Sequence, residues 1–285
     1  MTQKKWEMTR IMGIGIVLTL CLAFAFAPIR SYAKNVKNPK KTSTETCIGH
    51  RGAMDLAPPN TIASFQEAVK AGYTRIECDL WYTRSKDILA CHHESILKYT
   101  GVNKKIWELS LKNRKNYPIK YGKRIKRYPG LYFLSIDEVL AFASRHHVKL
   151  YLHLKKGGTT FTKKALRKLN RAIKRHHLSR KPVVFSSNKA IVRKMQKYKW
   201  TKGYLCTKAK KKRIRAAADF ASDHGCTYLL CPYRKKRKPT RPIVRYGHDL
   251  GLKMAYYRIW NKKRARRVFR KGGDFCITDK ILFMK

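Results

Sequence analysis

The sequence predicts an α/β protein of the (β/α)8, or TIM, barrel class. Short apolar runs alternate along the chain with stretches of helical periodicity, which is the pattern of a parallel sheet covered by helices. About eight such repeats fit into roughly 240 residues, the usual length of one closed barrel. Of the 285 residues, 44% are hydrophobic, which is enough for a core of that size.

Nine segments have the composition of strands, so one of them should be an additional strand or a hairpin arm. The connection between 75–80 and 88–92 is too short for the helical crossover that parallel neighbours require. Residues 94–134 form a longer connection rich in Lys, Tyr and Gly, which we interpret as an inserted loop region. The candidate strands are 46–49, 75–80, 88–92, 149–154, 182–186, 203–206, 227–231, 253–257 and 274–277.

Helical patterns fill most of the intervals between these segments. Asn60 is a favourable N-cap for a helix whose apolar stripe ends at Gly72, and Ser135 is a favourable N-cap for a second helix. The segment 163–175 places its apolar residues on one face and seven cations on the other, as expected of a helix on the outside of a barrel.

The N-terminal region, residues 1–33, has the features of a signal peptide or of an N-terminal membrane anchor. Basic residues precede an uncharged apolar stretch at 11–27, and small residues suit cleavage after Ala33. Residues 34–45 then form a basic linker, and residues 46–285 form the barrel. This organisation predicts a secreted or cell-surface protein.

The composition is strongly basic, since 67 Lys and Arg against 16 Asp and Glu give a formal net charge of +51. Such a charge favours polyanionic partners. Outside the cytoplasm these are anionic cell-surface polymers or phospholipid head groups. The basic runs 208–215 and 234–241 contain no aromatic residues, so nucleic acid is not expected as a partner. No obligate protein partner is predicted.

Titratable side chains are concentrated at the ends of the first candidate strands. The runs are His50-Arg51-Gly52, Glu77-Cys78-Asp79 and Cys91-His92-His93. Because side chains alternate along a strand, Glu77 and Asp79 should share one face. Burying two carboxylates together is costly unless a metal ion or an Arg or Lys neutralises them. Two imidazoles beside such a pair suit acid–base chemistry next to a metal ion.

The fourth-strand segment 149–154 has an unusual alternation. Its three leucines fall on one face, while Tyr151, His153 and Lys155 fall on the other. A face that is polar towards the barrel axis is typical of a strand end lining an active site. We therefore expect His50, Glu77, Asp79, His92, His153 and Lys155 to converge at the C-terminal mouth of the strands.

The order of these motifs resembles the glycerophosphodiester phosphodiesterase family, whose members are phospholipase-C-like phosphodiesterase barrels. The resemblance rests on His50-Arg51-Gly52, Asn60-Thr61, Glu77-x-Asp79 and His92, and it extends through Ile277-Thr278-Asp279. It implies a (β/α)8 barrel with a divalent metal ion, calcium or magnesium. It also implies that His50 and His92 act as general acid and base, that Arg51 and Lys155 bind the substrate phosphate, and that Glu77 and Asp79 bind the metal.

Three substitutions depart from the family pattern. Pro59 replaces a Glu before the Asn-Thr pair, His93 replaces an Asp, and His153 replaces the third metal-binding carboxylate. With His153 as the third ligand, the set is poor for calcium, which prefers many oxygen ligands, and is tolerable for zinc or manganese. Glu94 is a further candidate to complete the metal shell.

Two functional hypotheses follow from the resemblance and the charge. The first is a secreted phosphodiesterase that hydrolyses a glycerophosphodiester or a glycerol-phosphate polymer to an alcohol and glycerol phosphate, by two-histidine, metal-assisted catalysis. The second is a catalytically inactive barrel that binds anionic wall polymer or lipid head groups.

Overall fold

The computed structural model describes residues 44–178 and 180–282 as a closed barrel of parallel strands with helices between them. The first strand pairs with both the last strand and the second, which closes the sheet. This confirms the (β/α)8 class. The strands are β1 Cys47–Gly49, β2 Arg75–Tyr82, β3 Ile88–Ala90, β4 Lys149–Leu154, β5 Val183–Ser186, β6 Thr201–Leu205, β7 Tyr228–Pro232, β8 Lys253–Ile259 and β9 Phe275–Thr278.

The ninth strand is the hairpin arm that the short connection predicts. β3 runs antiparallel to β2 and pairs Ala90 with Leu80 and Ile88 with Tyr82. This pairing carries β2 two residues beyond the predicted end at 80, because Trp81 and Tyr82 gain a partner strand. The hairpin therefore extends past the mouth of the barrel.

Eight helices occur among the described residues, and the first begins one residue later than predicted. Thr61, not Asn60, is the N-cap, because its hydroxyl accepts the Ser64 N–H while the Asn60 amide is bonded to Asp79. Ser135 is the N-cap of α3 as predicted. The helices are α1 Ile62–Lys70, α2 Leu97–Thr100, α3 Ile136–Arg145, α4 Lys163–Arg175, α5 Lys189–Met195, α6 Lys211–Asp223, α7 Arg241–Asp249 and α8 Lys262–Arg270.

The barrel has separate inner and outer apolar layers. Leu150, Leu152 and Leu154 of β4 are fully buried in the layer between the strands and the helices. Tyr151 lies instead in the smaller cluster inside the barrel, as the alternation along β4 predicts.

The insertion at 94–134 packs on the extended hairpin and forms a third apolar cluster. Trp81 and Leu89 of the hairpin contact Ile96, Tyr99 and Trp107 of the insertion in this cluster. Because the hairpin extends beyond the barrel at the C-terminal end of β2, this cluster covers the side of the barrel mouth where β2 ends.

The predicted signal segment at 1–33 lies outside the described residues, as does most of the predicted linker. Its last two residues, 44 and 45, begin a short 3-10 turn at Thr44–Thr46 that leads directly into β1. Within residues 44–178 and 180–282, no helix is long and apolar enough to cross a membrane.

An ion pair at the N-terminal end of the barrel strands, opposite the mouth, makes a testable contribution to stability. His248 Nε2 lies 2.9 Å from Asp274 Oδ2, and the hydrogen bond to this carboxylate raises the pKa of His248 above its usual 6.5. A raised folded-state pKa means that the stabilisation is complete below pH 6.5 and is lost as the pH rises through the folded-state pKa.

We therefore expect the difference in urea midpoint between the wild type and His248→Gln to be largest near pH 5.5 and to shrink by pH 8. A difference that is constant across this range would show that the charge on His248 does not contribute.

Candidate active site

His50, the first residue after β1, is held by a carboxylate from the last strand end. Its Nδ1 lies 2.6 Å from Asp279 Oδ1, and its Nε2 lies 3.8 Å from Glu77 Oε2. With its Nδ1–H donated to Asp279, the imidazole presents the Nε2 lone pair towards the mouth of the barrel. Burial lowers the pKa of His50, so the ring is neutral and able to accept a proton.

Arg51 adopts the left-handed backbone conformation, with φ of 57°. This turn directs the Arg51 N–H to Glu77 Oε2 at 3.1 Å and brings its side chain back over the site, where Nε lies 3.1 Å from Asp79 Oδ2. A single residue thus contacts both carboxylates of β2, one through its backbone and one through its side chain.

Asp79 is the most heavily contacted group of the site. Its side chain is almost fully buried, and its oxygens receive contacts from four side chains. These are Arg51 Nε at 3.1 Å, Asn60 Nδ2 at 3.2 Å, His153 Nδ1 at 2.9 Å and Lys155 Nζ at 3.4 Å. The Asp79 backbone N–H also donates to Asn60 Oδ1 at 3.1 Å, so Asn60 bridges both ends of this residue.

The two carboxylates of β2 have opposite electrostatic character. Burial, reinforced by the charge of Asp79, raises the pKa of Glu77 well above its usual range. Burial would raise the pKa of Asp79 too, but Lys155, the His153 hydrogen bond and Arg51 together hold it well below its usual range. Asp79 is therefore firmly ionised, whereas Glu77 has too little positive charge nearby to offset the effect of its burial.

Glu77, Asp79 and His153 form a possible metal site, since one ligand atom from each lies within 4.8 Å of the others. His153 stacks on Phe185 and donates its Nδ1–H to Asp79, which leaves Nε2 as a buried atom with no hydrogen-bond partner. Carboxylate oxygens and imidazole nitrogens are common ligands of divalent cations in proteins. The donor set therefore fits a divalent cation.

His92 reaches the same level of the site from the hairpin. The Cys91 N–H donates to the Asp79 carbonyl at 3.1 Å, which fixes the chain beside β2 just before His92. Burial, with a further contribution from Arg51 and Lys155, lowers the pKa of His92 to about 2. This ring is therefore also neutral, and its Nδ1 is buried without a hydrogen-bond partner.

The structure thus gathers the predicted residues at the C-terminal mouth, but it excludes Glu94 from the group. Glu94 Oε1 accepts the Trp107 Nε1–H at 2.6 Å and the Gly158 N–H at 3.0 Å, and so joins the insertion to the loop after β4. Sequence reasoning noted Asn60 and Asp279 in the motifs but missed their contacts. Their positions beside a helix start and at a strand end were the available signal.

The barrel mouth combines two neutral histidines, a possible metal site and two cationic side chains. These are the groups that hydrolysis of a phosphoric ester uses, and they define the class of phosphoric ester hydrolases. The glycerophosphoryl diester phosphodiesterase family matches residues 50–282, and the chain belongs to that family. It is accordingly a phosphoric diester hydrolase.

The relatives have low sequence identity to this chain, although two of the three described here cover most of it. A glycerophosphodiester phosphodiesterase of Caldanaerobacter subterraneus subsp. tengcongensis is 24% identical over 240 residues, which cover 81% of this chain and 93% of the relative. The human glycerophosphodiester phosphodiesterase 1 is 24% identical over 142 residues, covering 50% of this chain and 43% of its own length. An Oleispira antarctica phosphodiesterase, solved with the product sn-glycerol-3-phosphate, superposes with a TM-score of 0.73 at 18% identity and covers 84% of this chain and 96% of its own.

The His50–Asp279 contact predicts a positioning role for Asp279. Asp279→Asn should lower kcat on the order of a hundredfold, because the amide no longer stabilises the imidazolium or fixes the Nδ1–H tautomer. KM should change little, and Asp279→Glu should recover part of kcat. The matched control is Asp219→Asn, which changes a carboxylate bonded to Tyr246 on the outer helices. A loss of kcat that merely tracks a loss of thermal stability in both variants would contradict this role.

Proposed function

We propose that the protein hydrolyses a glycerophosphodiester, releasing an alcohol and glycerol phosphate, with His50 and His92 as the acid–base pair. The observation that carries this proposal is the arrangement around Asp79, where Arg51 and Lys155 flank the same carboxylate and both histidines lie at its level. The family match and the relatives named for this activity support it.

Arg51 and Lys155 are the groups that would bind the substrate phosphate. Asp79 holds both cationic side chains at the mouth, and among the described residues no other carboxylate lies within ion-pair distance of either side chain. A phosphodiester placed beside them would receive positive charge on its non-bridging oxygens, where charge grows during the reaction. The Asp79 contacts hold both side chains in place before substrate arrives.

The histidines would divide the proton transfers. His50 Nε2 carries the lone pair, so it would take the proton from the attacking hydroxyl or water. Burial above all, together with Arg51 and Lys155, lowers the pKa of His92, so the ring is neutral in the free protein. A bound phosphate offsets those two cations, so His92 would gain its proton together with the substrate and give it to the leaving alcohol.

Glu77, Asp79 and His153 would hold the divalent ion, which supplies Lewis-acid stabilisation of the phosphate when bound. One imidazole and two carboxylates give few oxygen ligands, and Arg51 and Lys155 already neutralise Asp79. The neutralisation of Asp79 weakens the attraction for any cation, whereas the small number of oxygen ligands disfavours calcium and magnesium in particular, and we propose manganese or zinc as the preferred ion.

The location and the larger partner are further parts of the proposal. The basic composition and the apolar stretch at 11–27 support a secreted or cell-surface enzyme that draws its substrate from anionic polymers or phospholipid head groups. The second candidate, an inactive barrel that binds such polyanions, is favoured by one observation, the replacement of a family carboxylate by His153.

Hydrolysis of a panel of soluble glycerophosphodiesters, with each divalent ion in turn and with chelator, separates the two candidates. We expect turnover by the wild type and a loss of about 10²–10⁴-fold in His50→Ala and in His92→Ala, because each removes one proton-transfer group. The control His146→Ala removes an exposed imidazole at the far end of the barrel. Absence of turnover in every condition would favour the binding protein, and full activity in both variants would place the chemistry elsewhere.

Titration calorimetry of His153→Glu tests the proposed metal set. Restoring an anionic oxygen ligand should strengthen calcium and magnesium binding at least about tenfold and weaken the preference for zinc. His146→Glu adds the same charge away from the mouth and should leave every affinity unchanged. If neither the wild type nor His153→Glu binds any of these ions, these three residues do not form a metal site.

A further inference from the structure

Three of the four large apolar side chains that are exposed on the insertion lie close together, although the rest of its apolar residues are mostly buried. They are Leu97, Val102 and Tyr121, with 49%, 39% and 55% of their surfaces exposed. We call these three residues the insertion tip. Of the five large hydrophobic residues exposed in the described parts of the chain, three lie in this one place.

Contacts around Gly101 bring the tip residues together. Gly101 ends helix α2 in the left-handed conformation and donates its N–H to the Leu97 carbonyl at 2.7 Å, and Val102 follows it directly. The Tyr121 ring lies 3.4 Å from the position that a Cβ would take on Gly101. The backbone N–H of Tyr121 also donates to the Tyr99 carbonyl at 3.0 Å, so the tip is a fixed cluster.

The insertion tip lies at the same end of the barrel as the candidate active site. Leu97 and Tyr99 belong to the same four-residue helix, and Tyr99 is buried with its ring centroid 6.1 Å from that of His93. His93 in turn contacts His92, with ring centroids 4.3 Å apart. On the other side, Gly122 packs against Pro58 in the loop after β1, so that a Cβ on Gly122 would lie 3.0 Å from the proline ring.

The charge around the tip is almost entirely positive. Residues 94–134 contain eleven Lys and Arg but only two acidic residues. Glu94 is bonded to Trp107 and Gly158, and Glu108 accepts the Lys105 N–H, so both acids are engaged within the protein. Lys104, Lys120 and Lys123 adjoin the tip and are exposed.

We propose that the insertion tip seats the mouth of the barrel on an anionic lipid surface. Exposed apolar side chains ringed by cations fit a bilayer interface, where the apolar groups enter the acyl boundary and the cations meet the head groups. A soluble polymer of glycerol and phosphate could satisfy the cations but offers no apolar phase for Leu97 or Val102. The tip therefore favours a lipid surface over a polymer.

This inference rests on the proposed function, because it names the source of the diester. Seating the tip on a membrane would bring head groups to the end of the barrel where His92 lies. The phenol of Tyr121 suits the boundary itself, since Tyr has an apolar ring with a polar tip. The surface would thus supply both attachment and orientation.

Fluorescence of single tryptophan substitutions in the full chain tests contact at the tip itself. On addition of vesicles of equal parts phosphatidylcholine and phosphatidylglycerol, Leu97→Trp should gain a blue-shifted component over the wild type that shallow doxyl-labelled lipid quenches. Leu111→Trp is the matched control, because Leu111 is 42% exposed in the same insertion but is bonded to Asp87 away from the tip. This difference is independent of any attachment through residues 1–33.

Vesicle affinity tests the two kinds of contact separately. Replacing Leu97, Val102 and Tyr121 together by Ser should weaken binding to these vesicles by at least about tenfold. The triple change of Lys104, Lys120 and Lys123 to Gln should weaken it on the order of a hundredfold. The same triple change at Lys181, Lys197 and Lys199, which precede β5 and β6 at the opposite end of the barrel, should have a much smaller effect.

The proposal is overturned if Leu97→Trp and Leu111→Trp respond alike, or if the triple Ser variant binds vesicles as the wild type does. It is also overturned if the wild type does not bind the vesicles but does bind a soluble glycerol-phosphate polymer. Hydrolysis of soluble glycerophosphocholine, measured in parallel, should be the same in the tip variant and the wild type. Its absence in both would count against the proposed function and not against membrane contact.

Discussion

The carboxylate of Asp79 organises the mouth of this barrel, because four side chains from three other segments of the chain meet on it. Arg51 follows β1, Asn60 precedes α1, and His153 and Lys155 come from the end of β4. An ionised carboxylate buried without partners costs several kcal/mol, on the order of the stability of a whole domain. The contacts therefore depend on one another. Removing one partner leaves the charge of Asp79 less well compensated, and Asp79 in turn holds Arg51 and Lys155, the residues that would bind the substrate.

The same network explains why the site has a cationic character before any ion is bound. Two cations lie on Asp79, while Glu77 has a raised pKa and contributes less negative charge than its formula suggests. A family site with a third carboxylate would attract a hard divalent ion more strongly. Under the proposed roles, His153 in that position gives the site one negative charge fewer, which would favour the substrate phosphate and disfavour the metal.

Local periodicity predicted those parts of the site that lie within regular strands. Alternation placed Glu77 and Asp79 together, and it placed His153 inside the mouth with the leucines of β4 outside. It could not predict that Asn60 would bond Asp79 instead of capping α1, because that contact joins residues nineteen positions apart. The His50–Asp279 contact spans 229 positions, and closure of the barrel alone brings its two ends together.

The insertion shows how a contact distant from the chemistry can determine what reaches it. The sequence indicated Glu94 as a candidate metal ligand, but its carboxylate instead joins Trp107 to the loop that follows Lys155. That link fixes the insertion against the loop that follows β4 and Lys155, and the packing of Gly122 against Pro58 fixes it to the loop after His50. Because loops on both sides of the mouth hold the insertion, its exposed tip is fixed relative to the segments that carry the site residues. A surface bound to the tip would thereby face the mouth that contains the histidines.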